Sequence, residues 1–504
     1  MPAASTGPRI TPAPRTPPPP RRSRRSRRVA VAGVALSDGG RVDEATPYAL
    51  HAQAARRALA DSGLDRALID GLASAGLGTL APVEVAEYLG LRPTWVDSTS
   101  VGGATWEVMA AHAADAIAQR RANAVLLVYG STARADIKAR RRTSDLSFGA
   151  RGPLQFEVPY GHTLIAKYAM AARRHMHQYG TTLEQLAQVA VQARANAAAN
   201  PDALYREPIT VEDVLSGPMI ADPFTKLHCC VRSDGGCAVL LVGEEYVPDL
   251  ARHPVWVLGA GTAVSHTTMS EWEDFTVSPA AVSGRAAFER AGVTPRDIDL
   301  AEIYDAFTYM TLVTLEDLGF CAKGEGGAFV AEGRLLRDGS LPVNTDGGGL
   351  SACHPGMRGL FLLVEAVRQL RGEADEARAV GGADEARAVG GADEARAVGE
   401  ADETCAVGEA DEVRAVGGAD EVRAAGEADE VRAAGEADEV RAVGEADEVR
   451  AAGEADEAGV AGATGAAAGG RQVRRADGSL PELAVASGTG GWFCSSGTVV
   501  LGRG

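Results

Sequence analysis

The sequence predicts an α/β fold made of two similar halves, and an internal duplication is the main observation behind this prediction. Residues 58–72 can be aligned with residues 287–301. In each segment the sequence predicts a helix that ends at a glycine, followed by a polar turn and an Ile-Asp pair. Glycine suits a helix end because it adopts positive φ without strain. The runs AVLLVYG (124–130) and CAVLLVG (237–243) are continuously apolar, which is typical of strands covered on both faces.

Each half is predicted to open with a strand. These strands are VAVAGVAL from Val29 and VWVLGAGTAV from Val255, and a polar stretch at 244–253 separates them. We therefore divide the chain into an N-terminal half, residues 29–248, and a C-terminal half, residues 249–504.

An insert at 372–461 interrupts the C-terminal half, and a nine-residue unit such as GEADEVRAV occurs in it ten times. Fixed repeats can stack into solenoids, but this unit lacks the pattern of a calcium-binding β-helix. A helix is disfavoured because each glycine costs about 1 kcal/mol relative to alanine. We interpret the insert as a low-complexity acidic tract, disordered or transiently helical. It accounts for the formal net charge of −18, so that charge does not describe a functional site.

The first 28 residues form a proline-rich tail with eight arginines. Arginine clusters can bind nucleic acid or anionic surfaces, but we interpret this segment as a disordered tail or the product of a misplaced start codon. No nucleic-acid partner is predicted. The sequence shows neither a membrane-spanning apolar stretch nor a signal peptide. Seven unevenly spaced cysteines argue against a disulfide framework, so we expect a cytoplasmic location.

The motif NTDGGGLSACHPGMRG, residues 344–359, carries the most specific chemical signal. Its glycines, Gly347, Gly348 and Gly349, allow close approach of the backbone to a ligand. His354 follows on the same loop, just before the helical run 360–370. This arrangement predicts a catalytic histidine beside backbone N–H groups that bind an oxyanion. The alternative is a capping loop whose histidine bonds locally.

Three other motifs give weaker evidence of function. Tyr304 precedes an apolar helical run, where it is either a catalytic group beside Asp305 or part of the core. The segment HCCVRSDGGC, from His228, lacks the C-x₂-C pair of a zinc site. GAGTAV from Gly259 lacks the third glycine of a dinucleotide site. We therefore predict no metal and no tightly bound cofactor.

Four motifs together resemble the thiolase superfamily, in its lipid-transfer-protein branch related to the thiolase part of sterol carrier proteins. They are DPFTKLHCCVRSDGGCAVLL from Asp222, the stretch 302–330, the glycine-histidine motif 347–359 and, more loosely, 487–502. The resemblance implies a five-layered αβαβα fold of two duplicated halves, with the acidic insert between the last helix and the final strands. It also implies a homodimer and CoA thioesters as substrates.

The chain departs from the family where thiolase chemistry needs a nucleophile. Ser100 stands in place of the cysteine that begins a buried helix, and no Ser-His-Asp arrangement can be inferred around it. The family's Asn-Glu-Ala-Phe motif becomes Tyr304-Asp305-Ala306-Phe307. The second catalytic cysteine is matched by Ser487, followed by Gly488, although Cys494 nearby is a possible substitute.

The resemblance therefore implies a retro-aldolase acting on the CoA esters of lipid or steroid side chains. His354 or Tyr304 would be the base, and Asp305 would belong to the same site. Donors around Gly347–Gly349 would stabilise the enolate, with Ser487 and Gly488 also binding substrate. A separate partner chain with an OB-fold and a zinc ribbon is expected.

Two alternatives stay open from the sequence. One is acyl transfer of the acetyl-CoA acetyltransferase type, with Ser100 or Cys494 as the nucleophile. The other is a non-catalytic carrier of acyl-CoA or lipid.

Overall fold

Two half-sheets with the same strand order form the centre of the computed structural model, which describes residues 26–78, 80–139, 152–160, 163–375 and 470–504. The N-terminal half contains β1 (Val29–Leu36), α1 (Pro47–Ser62), β2 (Gly71–Ala73), α2 (Ala81–Tyr88), β3 (Trp95–Asp97), α3 (Thr105–Ala118), β4 (Ala124–Ser131), α4 (Ala133–Lys138), α5 (Leu164–Tyr179), α6 (Leu183–Ala198), α7 (Val211–Leu215), β5 (Met219–Ala221), β6 (Phe224–Thr225) and β7 (Gly235–Gly243). The C-terminal half contains β8 (Val255–Val264), α8 (Ala280–Ala291), β9 (Leu300–Ile303), α9 (Thr308–Asp317), α10 (Gly326–Ala331), α11 (Gly359–Arg371), β10 (Leu483–Gly490) and β11 (Ser495–Gly502).

The strand order shows the duplication directly. The sheet runs β3-β2-β4-β7-β1-β8-β11-β10-β9, so β1, β7, β4 and β2 correspond to β8, β11, β10 and β9. Equivalent neighbours pair in the same sense: β2–β4 and β9–β10 are parallel, whereas β4–β7 and β10–β11 are antiparallel. A short antiparallel contact of Ala30 with Trp256 and Val31 with Val255 joins the half-sheets.

Alternating burial along the strands produces the layers. In β1, Val29 and Val31 join a central core, whereas Ala30 and Ala32 join a second core beneath α1. Helices α3 and α11 contact both half-sheets, α1 covers the outer face of the N-terminal half, and α8 covers the outer face of the C-terminal half. The result is the predicted αβαβα layering.

The outer helices pack closely because the strands beneath them carry glycine. A β-carbon at Gly33 would overlap the carbonyl oxygen of Ala58 in α1, and one at Gly261 would overlap that of Ser283 in α8. Both helices then end at a glycine with positive φ, as the duplication predicts. Among the described residues, no helix has the length and apolar composition needed to cross a bilayer.

Two predicted segments lie largely outside the described residues: 1–25 of the tail and 376–461 of the insert. The last tail residues are described, and Arg27 pairs with Glu245 at 2.6 Å while Arg28 stacks over Trp256. At the insert, Gly372 has φ 83° and caps α11.

The two chain segments that flank residues 376–469 contact each other. The backbone N–H of Arg471 donates to the Asp375 carboxylate, and that of Ala374 donates to Oε1 of Gln472 at 3.2 Å. Replacing residues 377–468 by a short Gly-Ser linker should therefore leave the melting temperature within a few degrees, because the chain ends remain adjacent. A large fall in the melting temperature, measured by calorimetry, would contradict the interpretation of the insert as a low-complexity tract.

Candidate active site

The imidazole of His354 and the phenol of Tyr304 face each other where the glycine-rich loop meets the end of β9. Nε2 of His354 lies 3.1 Å from the phenol oxygen of Tyr304, and the rings are nearly perpendicular. Tyr304 is buried, whereas His354 is partly exposed. The structure thus brings together two predicted site residues that are 50 positions apart.

Each ring is held by its own surroundings. The backbone N–H of Tyr304 donates to the carbonyl oxygen of Ser487 at 3.0 Å. The backbone N–H of His354 donates to Oγ of Ser233 at 2.9 Å. The phenol of Tyr129, at the end of β4, donates to the carbonyl oxygen of Pro355 at 2.6 Å. The N-terminal half therefore positions a histidine that belongs to the C-terminal half.

The N–H groups of Gly347, Gly348 and Gly349 donate to oxygens of the protein itself, and their predicted role in binding an oxyanion stays a prediction. The N–H of Gly349 donates to Asp305 at 2.7 Å, that of Gly348 to Asp346 at 2.8 Å, and that of Gly347 to a carbonyl at 2.9 Å. All three residues are buried. They are glycines because the protein's own groups approach them: a β-carbon at Gly348 would overlap the Asp305 carboxylate.

Asp305 supports this loop. Its second oxygen accepts from the N–H of Leu350 at 3.2 Å, so both oxygens are used by the backbone. Burial raises the pKa of Asp305 to about 7, against the lowering effects of Arg358 and the two N–H donors. Its contacts are those of a residue that shapes the loop.

A buried guanidinium completes the support. Arg358 has no exposed surface, and its Nη2 lies 2.6 Å from both carboxylate oxygens of Asp346. Its Nη1 donates to the carbonyl oxygen of Cys353 at 2.9 Å, one residue before His354. Its Nε lies 3.7 Å from Asp305. Arg358 thus ties both ends of the glycine loop to the start of α11.

The protonation states suit proton transfer between neutral groups. Burial and the neighbouring Arg358 lower the pKa of His354 to about 4, so the imidazole is neutral at physiological pH. Burial holds the pKa of Tyr304 well above its ordinary value. With the imidazole proton on Nδ1, the phenol donates to Nε2.

Ser100 is not part of this group. It is exposed on the loop between β3 and α3, and no described hydrogen bond connects its hydroxyl to His354. Its position therefore does not supply the base that a serine nucleophile requires.

The six described cysteines do not resemble activated nucleophiles. Burial raises the pKa of each, including Cys494, whose pKa is about 11, and Cys353, whose pKa is about 12. A thiolate nucleophile instead has a lowered pKa.

The predicted substrate contacts of Ser487 and Gly488 stay predictions, and the structure shows where these two residues lie. Oγ of Ser487 lies 3.2 Å from Oγ1 of Thr498, which lies 2.9 Å from Oγ of Ser283 in α8. The Ser487 side chain therefore faces the outer layer, where α8 lies. Gly488 faces the central layer, where Glu107 occupies the space of a β-carbon.

The sequence interpretation missed Glu107, Asp346 and Arg358. Glu107 is fully buried in α3, and neither of its carboxylate oxygens has a hydrogen-bond partner among the described residues. A single carboxylate within the apolar run TWEVMAA was the available signal. For Asp346 and Arg358, the signal was a pair of opposite charges within a glycine-rich motif. No metal-binding group of His, Cys, Asp or Glu occurs among the described residues.

Comparisons with known proteins agree with this geometry. A family model described as "Thiolase C-terminal domain-like" matches residues 261–397. The 17-hydroxy-3-oxo-4-pregnene-20-carboxyl-CoA lyase of Mycobacterium tuberculosis is 33% identical over 358 residues, which cover 69% of this chain and 92% of the lyase. The chain belongs to the thiolase superfamily. The predicted family and fold class are thereby confirmed.

Two further matches show the range of chemistry among similar proteins. A solved structure described as an Ltp2-ChsH2(DUF35) aldolase has a TM-score of 0.63 and 33% identity, covering 69% of this chain and 90% of that one. An acetyl-CoA acetyltransferase of Methanothermobacter thermautotrophicus is 41% identical over 229 residues, 45% of this chain and 60% of the enzyme.

The substitution Asp346→Ala tests the support of the loop. It should destabilise the protein by about 3–5 kcal/mol, because it leaves the buried charge of Arg358 without its main partner. Asp43→Ala is the matched control, since Asp43 forms exposed ion pairs with Arg134 and Lys138, and it should change stability little. Urea unfolding measures both, and equal losses would contradict the assigned role of Arg358.

Proposed function

We propose that this protein cleaves a carbon–carbon bond of a β-hydroxyacyl-CoA by a retro-aldol reaction, with a steroid or lipid side chain as the acyl part. The observation that carries the proposal is the 3.1 Å contact between a neutral His354 and a protonated Tyr304. The two proteins named as lyase and aldolase, each matching at 33% identity, support it.

Each member of the pair has a task in this reaction. When the substrate binds, the phenol of Tyr304 turns its proton from Nε2 of His354 to the thioester oxygen, which leaves Nε2 free as a base. Nε2 then takes the proton of the β-hydroxyl group, and a carbonyl forms at the β-carbon as its bond to the α-carbon breaks. The released electron pair forms the CoA enolate, whose oxygen accepts a hydrogen bond from the phenol of Tyr304. The imidazolium returns the proton to the α-carbon. The products are a carbonyl compound and a shortened acyl-CoA.

Acyl transfer is the second candidate, and the 41% identical acetyltransferase favours it. The chemistry of this chain opposes it, because no hydrogen bond among the described residues joins the Ser100 hydroxyl to a base and burial raises the pKa of Cys494. A carrier function does not explain why a histidine and a tyrosine face each other at the site.

We also propose that the protein works as a homodimer and with an OB-fold/zinc-ribbon partner chain. The two-component name of the Ltp2-ChsH2(DUF35) aldolase supports a partner. Co-purification with such a protein and light scattering of the complex would test both parts.

Variants of the pair test the reaction. With the CoA ester after which the tuberculosis lyase is named, His354→Ala should lower kcat/KM by about 10² to 10⁴, as loss of a general acid–base does. Tyr304→Phe should lower kcat by about 10² to 10³ because it removes one donor to the enolate oxygen. Ser100→Ala is the control and should retain activity. Thiolysis of acetoacetyl-CoA that disappears in Ser100→Ala would overturn the aldolase proposal.

The acid limb of the pH profile is a separate prediction. The pKa of His354 is lowered to about 4, so the imidazole stays unprotonated when the solution is acidified. We therefore expect kcat/KM to stay constant down to roughly pH 5. An ordinary histidine would be half protonated at a pH of about 6.5. Initial rates between pH 4 and 8, with folding followed by circular dichroism, would show this. A limb near pH 6.5 would argue against His354 as the base.

A further inference from the structure

A fully buried acid side chain lies directly behind the proposed site and takes no part in the reaction described above. Glu107 is in the first turn of α3, and its side chain is surrounded by three glycines of other elements. A β-carbon at Gly359, at the start of α11, would lie 2.5 Å from its Oε2. A β-carbon at Gly488 or Gly497, in β10 and β11, would also overlap its side chain.

These surroundings have a definite chemical character. The three glycines offer backbone and Cα–H groups at close range, and neither oxygen of Glu107 has a hydrogen-bond partner among the described residues. A carboxylate left in such a place loses its hydration without compensation, whereas a neutral carboxyl group loses far less. Burial accordingly raises the pKa of Glu107 to about 8.

One turn of helix connects Glu107 to the proposed catalytic pair. Gly103 lies four residues earlier, and its carbonyl oxygen would lie 2.6 Å from a β-carbon at Gly359, the same point that Glu107 approaches. A β-carbon at Gly103 would overlap the ring of Tyr304. The turn before α3 is therefore in contact with the same point of α11 as Glu107 and with the ring of Tyr304.

We propose that the uncharged carboxyl group of Glu107 is a positioning group, which fills the glycine slot, fixes Gly103 against Tyr304 and maintains the Tyr304–His354 contact. Ionisation withdraws this support in two ways. It draws the carboxylate toward water and so displaces the turn, and it places a negative charge behind a site in which the enolate develops negative charge. This inference rests on the proposed retro-aldol function.

The other charged and titratable groups around Glu107 do not neutralise it. β10 and β11 present glycines, and Arg358 on α11 is engaged by Asp346 and Cys353. Other titratable groups near this end of α3 are Tyr304 and Asp305 after β9, Tyr129 at the end of β4, and His354, while Glu365, Arg368 and Arg371 lie further along α11. The carboxylate of Asp305 is bound by the backbone N–H groups of Gly349 and Leu350.

The pH dependence of kcat in Glu107→Gln tests the proposal. The wild-type kcat should fall above pH 8, by about tenfold per pH unit for a single ionisation, with KM little changed. Glu107→Gln should keep kcat within about threefold at pH 7 and lose the alkaline limb, since its amide does not ionise. Glu316→Gln, which replaces another buried acid, is the control and should retain the limb. An alkaline limb that persists in an active Glu107→Gln would overturn the proposal.

Infrared spectroscopy supplies a measurement that needs no turnover. The spectrum of the wild type minus that of Glu107→Gln at pH 7 should show the C=O band of a protonated carboxyl group, which disappears as the pH rises through about 8. A difference spectrum without this band at pH 7 would contradict the proposal even in an active enzyme. If the band is present but the wild type cleaves no β-hydroxyacyl-CoA at any pH, the positioning role fails together with the proposed function. Glu107→Met serves for both measurements where Glu107→Gln does not fold.

Discussion

A single guanidinium without exposed surface, that of Arg358, determines where the groups of the proposed site can lie. It is bound to both oxygens of Asp346 and to the carbonyl oxygen of Cys353, and it lies 3.7 Å from Asp305. Removing a buried charge from water is costly unless its partners are well placed. The glycine loop is therefore confined to the shape that satisfies this cation, and His354 follows that loop by one residue. Burial and, in addition, the same cation lower the pKa of His354, because loss of water and a second positive charge nearby both disfavour the imidazolium.

The parts of the fold that the sequence predicted are those governed by local periodicity. Continuous apolar runs marked β4 and β7, and two glycine-ended helices marked the duplication now seen as matching half-sheets. The site was harder to predict for a physical reason. A glycine in the sequence indicates that another group comes close to the backbone, but it does not show which group. At Gly348 this group is the carboxylate of Asp305. The direction of Ser487 was in principle accessible, because alternation along β10 places it with the outward-facing Val485.

Electrostatics distinguish the aldol and thiolase interpretations more clearly than the residue substitutions alone. A thiolase-type nucleophile needs surroundings that favour an anion, yet burial raises the pKa of Cys353 and Cys494. A retro-aldol step begins with a neutral base and a neutral donor, and the surroundings of His354 and Tyr304 favour those forms. Desolvation therefore disfavours a thiolate nucleophile and at the same time favours the neutral forms of His354 and Tyr304.

The layered fold explains why such a pair requires both halves of the chain. His354 and Tyr304 belong to the C-terminal half, but Ser233 and Tyr129 of the N-terminal half hold the histidine loop through its backbone. The turn before α3, also N-terminal, packs against the ring of Tyr304 through Gly103. Because these contacts come from the N-terminal half, a change in the spacing of the half-sheets would alter the 3.1 Å contact. The helices α3 and α11 contact both half-sheets. The small residues where the turn before α3 meets α11, Gly103 and Gly359, are therefore as important to the site as its polar groups.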